Sequence, residues 1–355
     1  MLVHERFRLP DEGNGRNTIG ACASGDLSSN FEKNRVFERG LVKFTGKPPH
    51  INPQDTPMKT VLKNLIASAA ALLLTAAAGR AQTAYALADG GTSLIKFDLS
   101  TPTITTLVGT FSGDAERIDG IDFRPSNGLL YGYSRGDTLV TISLDSAATA
   151  FVSTPTTVSS VNGLGIDFNP VADRLRLVNT ADQNLRINVA NGNTIVDGPL
   201  TYAAGDSGFG INPQINEAAY SNSDRNPLTE TRLFYVDIGR DVLVSTLNPN
   251  GGELTTVGPL GINAGELTGF DILSDGFGGN SAFAILTSGG NSSLYRVNLN
   301  TGAATSVGIV SQTAGVRPFS LAIVQPIPEP GTALFGFALA GACLSRSRRR
   351  LASGA

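Results

Sequence analysis

The strongest constraint on this chain is a short motif that returns along it. GIDFRP begins at Gly120, GIDFNP at Gly165 and GFDILS at Gly269, with an echo, PFSLAIV, from Pro318. The first interval is 45 residues and the second 104, which fits two units if one copy has drifted. EAAYSN from Glu217 supplies that copy, and GFGINP from Gly208 competes with it for the register. A period of this length marks a repeat architecture, in which each unit buries its apolar face only by stacking on the next.

Each copy is followed by further short β-type runs. Second runs include LLYGYS at Leu129, RLRLVN at Arg174 and SAFAIL at Ser281. Third runs include TLVTISL at Thr138, NLRINV at Asn184, VLVSTL at Val242 and SLYRVNL at Ser293; TAFVS, NTIVDG, ELTTVG and AATSVG close the units. Turn signals such as Asn191-Gly192 and Thr301-Gly302 separate them, and no helical periodicity competes. Four strands per unit predict an all-β fold, a β-propeller of five four-stranded blades. The first unit, from Thr83 to Gly109, holds only three strands. The final PFSLAIV is therefore expected to pair with it and close the ring, leaving no open sheet edge.

GIDFRP at Gly120, NGLGIDFNP at Asn162, AAYSN at Ala218 and GELTTVGPLG at Gly252 together resemble the uncharacterised bacterial family known as domain of unknown function 4394. The resemblance runs over nearly all of Thr83 to Val324. It implies a propeller-like fold and assigns no activity.

Charge narrows the partners. The whole chain carries a formal net charge of -3, but residues 82–327 hold 22 Asp and Glu against 12 Lys and Arg, with Lys96 the only lysine. An acidic domain of this kind does not suit nucleic acid or an anionic membrane surface; it is compatible with cations or neutral glycans. Both cysteines, Cys22 and Cys343, and both histidines, His4 and His50, fall outside this stretch. The domain therefore has no internal disulfide, no thiol nucleophile, no Cys or His metal site and no Ser-His-Asp machinery.

The flanks read as address labels. Met58, Lys59 and Lys63 precede an apolar run from Leu65 to Ala78 and small residues through Ala81, the layout of a secretory signal over 58–81 with cleavage after Ala81, or earlier after Ala78. The competing reading is a buried Ala/Leu helix. Residues 1–57 lack periodicity and are read either as lying upstream of the true initiator Met58 or as a disordered extension. At the other end, residues 328–355 contain Pro328, Glu329 and Pro330, an apolar stretch from Thr332 to Leu344, and then Arg346, Arg348, Arg349 and Arg350. The prolines end any strand and the arginines hold the terminus on the cytoplasmic side. This order resembles the PEP-CTERM sorting signal of exopolysaccharide-producing Gram-negative bacteria. The resemblance implies an exosortase-type processing enzyme as partner, transient membrane association and a final place at the cell surface or outside it. Thirteen apolar residues would span only about 20 Å as a helix against a hydrocarbon core of about 30 Å, which suits a transient handle better than a simple tail anchor.

Within the domain, Asp122, Asp167 and Asp271 hold the same motif position, so closing the ring should bring them to equivalent places about one axis. A structural role is expected first, each carboxylate accepting hydrogen bonds from a neighbouring loop or pairing with Arg124 or Arg174. The alternative is a cation site, where oxygen ligands suit Ca²⁺. Asp114, Glu116 and Asp119 are read as a solvated loop that could add ligands. Arg174, Arg176 and Arg186 are expected to pair with Asp173 and Asp182 rather than to form a sugar-binding patch. Tyr131, Tyr133, Tyr220, Phe234 and Tyr235 are expected to fill blades rather than stack on sugars. The composite expectation is an exported surface or matrix-associated propeller, a non-catalytic binding or structural module. A Ca²⁺-dependent hydrolase or lactonase-like enzyme using Asp and Glu is the rival.

Overall fold

A computed structural model describes residues 82–326 apart from 135, 162, 225–228, 267 and 311–316. All of them lie in the second of two units into which the chain divides, Ala69–Ala355. The segment read as a secretory signal, the residues before it and the segment read as a sorting tail lie outside the described residues.

Five small sheets, each built on four antiparallel strands, form a ring, a five-bladed β-propeller. The first blade contains β1 (Thr83–Ala88), β2 (Ser93–Asp98) and β3 (Thr101–Thr110). The short β4 (Ser112–Gly113) leads into the second blade, β5 (Ile118–Phe123), β6 (Leu130–Ser134), β7 (Leu139–Ile142) and β8 (Ala148–Ser153). The third is β9 (Leu164–Asn169), β10 (Arg174–Asn179), β11 (Asn184–Ile187) and β12 (Thr194–Val196). After β13 (Thr201–Tyr202) come the fourth, β14 (Ile215–Tyr220), β15 (Leu233–Asp237), β16 (Val242–Thr246) and β17 (Glu253–Pro259), and the fifth, β18 (Thr268–Ser274), β19 (Asn280–Ser288), β20 (Asn291–Val297) and β21 (Ala304–Ile309). The last strand, β22 (Phe319–Ile323), returns to pair antiparallel with β1, as the three-strand first unit requires.

Two details differ from a uniform four-strand scheme. β4 and β13 each add a two-residue parallel strand outside the outermost strand of the second and fourth blades, making five-stranded sheets. They fasten the connecting chain to the blade it is about to enter and are too short to leave a periodic signal. The drifted repeat is also settled: EAAY lies in the innermost strand β14, whereas the segment at Gly208 is turn.

The core is divided by seam. Five apolar clusters each join two neighbouring blades, for example Tyr131 and Tyr133 of the second with Leu164, Ile166 and Phe168 of the third. Tyr131 and Phe168 meet edge to face, ring centroids 5.2 Å apart. With Tyr220, Phe234 and Tyr235 also buried, the aromatics fill the spaces between blades, as alternation along a strand would place them.

The motif glycines allow the innermost strands to approach. A Cβ on Gly165 would stand 2.5 Å from Glu217 Cα, and one on Gly269 would stand 2.8 Å from the Leu321 backbone nitrogen. A side chain there would force adjacent strands apart at the narrowest part of the ring.

Candidate functional site at the propeller axis

Each innermost strand turns one edge toward the axis, where no further strand pairs with it. Its inward N–H groups need acceptors, since an unpaired buried N–H is costly. Side chains supply them across every seam. Asp122 Oδ2 accepts from Phe168 N at 2.7 Å, Asp167 Oδ1 from Tyr220 N at 3.1 Å and Asp271 Oδ2 from Ile323 N at 2.6 Å. In the fourth blade and the closing strand the aspartate position is occupied by Ala219 and Ala322. There the acceptor sits two residues earlier, in the glycine position: Glu217 accepts from Phe270 N, and Ser320 Oγ accepts from Ile121 N at 3.1 Å. Ser320 adopts φ 44° at a register shift between β1 and β22, which turns its hydroxyl into the seam.

The three aspartates therefore take up the structural role expected of them, but with different partners. They accept from the backbone of the next blade rather than from loops, and neither Arg124 nor Arg174 pairs with them. Arg124 forms a bidentate pair with Asp173, at 2.8 and 2.5 Å, and Arg174 donates to the Asp173 carbonyl at 3.0 Å. Arg176 lies opposite Asp167 in the strand pairing, yet its guanidinium is directed to Asp197 at 2.5 Å, Asn184 at 2.7 Å and Asn250 at 3.0 Å. Arg186 also binds Asp197, at 2.6 and 2.9 Å. Asp197, not Asp173 or Asp182, is thus the anion that serves both arginines. It follows the outermost strand β12, so the pairing crosses the blade rather than a single turn.

Closing the ring brings Asp122, Asp167 and Asp271 together as their shared motif position implies. One carboxylate oxygen from each lies within 4.8 Å of the other two, and all three residues are buried. Glu217 is equally buried and close enough to interact with Asp167 and Asp271. Burial pushes all four carboxyls above their usual range, and mutual repulsion pushes Asp122, Asp167 and Glu217 further; Asp271 is raised to about 7. Among the described residues no arginine or lysine forms an ion pair with any of them.

A cavity of about 240 Å³ opens at the end of the axis where the innermost strands begin. Its walls include Arg117, Asp119, Asn216, Glu217, Glu266 and Thr268. Two walls are made by β-bulges: the pairing register shifts between Ile118 and Gly120 and between Ile215 and Glu217, which places Asp119 and Asn216 at the bulged positions. Bulges of this kind re-aim side chains and concentrate beside functional sites. Asn216 Nδ2 donates to the Glu266 carbonyl at 3.0 Å. Asn216 Oδ1 and Thr268 Oγ1, both buried, have no hydrogen-bond partner among the described residues. Asp119 belongs to this wall rather than to a solvated loop, whereas Asp114 accepts from Phe151 N at 2.7 Å.

Glu217, Asn216, Thr268 and Ser320 did not stand out as site residues in the sequence. A signal was present: aligning the repeats places Glu217 and Ser320 in the glycine slot of the same two units that have Ala219 and Ala322 in the aspartate slot.

None of the curated proteins compared with the chain matches it. Among solved structures it is similar to a structural-genomics protein of unknown function from Bacteroides thetaiotaomicron, at 12% identity and TM-score 0.39, covering 65% of this chain and 54% of that one. It thus spans about half the length of that relative. It is also similar to a chain of a nidogen/laminin complex, at 12% identity and TM-score 0.41, covering 69% of this chain and 99% of that one. PorZ, a surface component of the type-IX secretion system of Porphyromonas gingivalis, matches at 12% identity and TM-score 0.33, covering 68% of this chain and 30% of that one. The family model described as a domain of unknown function, DUF4394, matches residues 93–320, and the chain belongs to that family.

Proposed function

We propose that this protein is an exported propeller that acts at the cell surface or in the extracellular matrix as a non-catalytic binding module, taking a hydroxyl-rich glycan at the axial cavity. The observation that carries the reading is the pair of bulges that place Asp119 and Asn216 on the cavity wall beside the unpartnered oxygens of Asn216 and Thr268. A sugar hydroxyl can donate to the first and exchange either role with the second. Half-buried Phe319 and buried Leu164 supply apolar wall, matching the apolar faces of a sugar ring.

Export rests on the signal layout over 58–81 and the sorting-type tail over 328–355. An exosortase-type enzyme would release the chain from a transient membrane contact, and the producer's exopolysaccharide is the ligand of first choice. A metal-dependent hydrolase needs its ion open to substrate. Here the three aspartates lie three residues further along their strands than the wall residues Asp119, Leu164 and Thr268, buried and bonded to backbone N–H groups, which favours binding over turnover. The test is co-sedimentation of purified protein with the producer's exopolysaccharide. Wild type should pellet with it in a saturable way, and Asn216→Ala with Thr268→Val should lose most of that binding while retaining the circular dichroism of the fold. No saturable binding by wild type would overturn the reading.

A further inference from the structure

Four buried carboxylates share the axis, and among the described residues no cationic side chain pairs with them. Peptide N–H groups satisfy hydrogen-bonding demand: Asp122 also accepts from Phe123 N at 2.7 Å and Asp271 from Ile272 N at 2.6 Å. They do not cancel charge, and like charges this close are held together only by protons or by a cation. Each carboxylate oxygen has two lone-pair sites, so one that accepts an N–H still has a site for a metal.

A second observation is independent of the cluster. The nearby cavity is lined by Asn216 and Thr268, whose Oδ1 and Oγ1 have no hydrogen-bond partner among the described residues, on residues 4% and 2% exposed. Both are neutral oxygen donors of the kind that complete the shell of a hard ion or hold its waters. Glu217 joins the two regions, lining the cavity while interacting with Asp167 and Asp271 below it. Thr268 precedes Asp271 by three residues, about 10 Å along an extended strand.

We propose that the propeller axis is a divalent-cation site of the calcium type, in which one oxygen each of Asp122, Asp167 and Asp271 binds the ion and Glu217, Asn216 and Thr268 form its inlet from the cavity. The donor set is all oxygen, which selects hard ions over zinc or copper. Oxygens within 4.8 Å of one another can be met by an ion at about 2.3–2.6 Å, with water completing a shell of about six to eight ligands. The ion would tie together the innermost strands of the second, third and fifth blades. This site does not depend on the glycan reading and would stand if no glycan bound.

The experiment strips purified protein with a chelator and titrates it with CaCl₂ alone by calorimetry, to about 10 mM because extracellular calcium sites extend to about 1 mM in Kd. One ion per chain is expected. At about a hundredfold excess over Kd the thermal midpoint should rise by about 5–10 °C for a domain of this size. Asp167→Asn keeps an oxygen for Tyr220 N but removes a charged ligand, and it should weaken calcium binding by at least about tenfold while raising the metal-free midpoint. If that variant does not fold, Asp271→Asn carries the same expectation. Absence of saturable calcium binding by wild type, or unchanged affinity in the folded Asn variant, would overturn the site. Equal affinity for MgCl₂ would overturn its assignment to calcium.

Discussion

Asp167 Oδ1 accepts the backbone N–H of Tyr220 at 3.1 Å across the seam between the third and fourth blades. The bond joins two needs of a closed ring: an inner strand edge that must not remain unpaired and a carboxylate that must be solvated without water. Because every seam has such an acceptor, its removal should have a measurable cost. In chelator, Asp271→Ala should be less stable than Asp271→Asn by about 1–3 kcal/mol, because alanine leaves Ile323 N without a partner while asparagine preserves one. Urea unfolding of the two variants measures the difference directly, and equal midpoints would show that the seam bonds contribute nothing net.

Stability in chelator should decrease as pH rises from about 5 to 8. The ordinary carboxyl values in an unfolded chain are about 3.9 and 4.3, and the folded values of Asp122, Asp167, Glu217 and Asp271 lie above them. The folded state therefore binds more protons across this window, its advantage is complete below the unfolded values, and it is lost as pH rises through the folded ones, to about 7 for Asp271. Asp173, held low by Arg124, acts in the opposite sense and only at more acid pH. Thermal midpoints at pH 5 and 8 check the sign, and Asp271→Asn should flatten the slope.

Gly165→Ala should destabilise the ring by about 1–3 kcal/mol through overpacking, because its Cβ would meet Glu217 Cα at 2.5 Å. Gly136→Ala is the control, since its nearest neighbour would be the Ser134 hydroxyl at 3.7 Å, and surface changes of this kind stay within about 0.5 kcal/mol. Chemical denaturation of both variants separates the effect of the seam from that of losing a glycine.

Much of this was legible before the fold was known. GIDF at Gly120 and Gly165 and GFDI at Gly269 identified three innermost strands, and their shared aspartate position implied convergence at the axis. EAAY was harder because its unit exchanges both marker residues, Gly for Glu217 and Asp for Ala219, and that exchange is what keeps its seam bonded. The Arg176–Asp197 pair was not legible, since it joins residues 21 apart across strands whose register the local sequence does not state. The bulges that place Asp119 and Asn216 on the cavity wall likewise depend on pairing rather than on composition.

Ring closure gives a prediction about length. A chain ending at Arg317 lacks β22, whose Leu321 and Ile323 are buried against the first and fifth blades. Burial of two such side chains is worth about 3–6 kcal/mol, so this truncation should unfold at a much lower temperature than one ending at Ile327. Equal midpoints would contradict closure by β22.

The proposed sorting role of residues 328–355 can be tested separately from the fold. Changing Glu329 to Gln or Ala should leave an unprocessed, membrane-associated chain in a host with the processing enzyme, while wild type loses its arginine tail; mass and fractionation distinguish the two. Identical masses and locations would leave a plain tail anchor.

The most direct measurement of the binding role is hydrogen exchange with and without the producer's exopolysaccharide. Protection should rise in segments around the cavity, 114–120, 163–165, 214–217 and 263–266, and remain unchanged in the turns at the opposite end of the strands, 124–129, 170–173 and 275–279. Protection confined to those opposite turns, or no protection in either set, would contradict a binding site at the axial cavity.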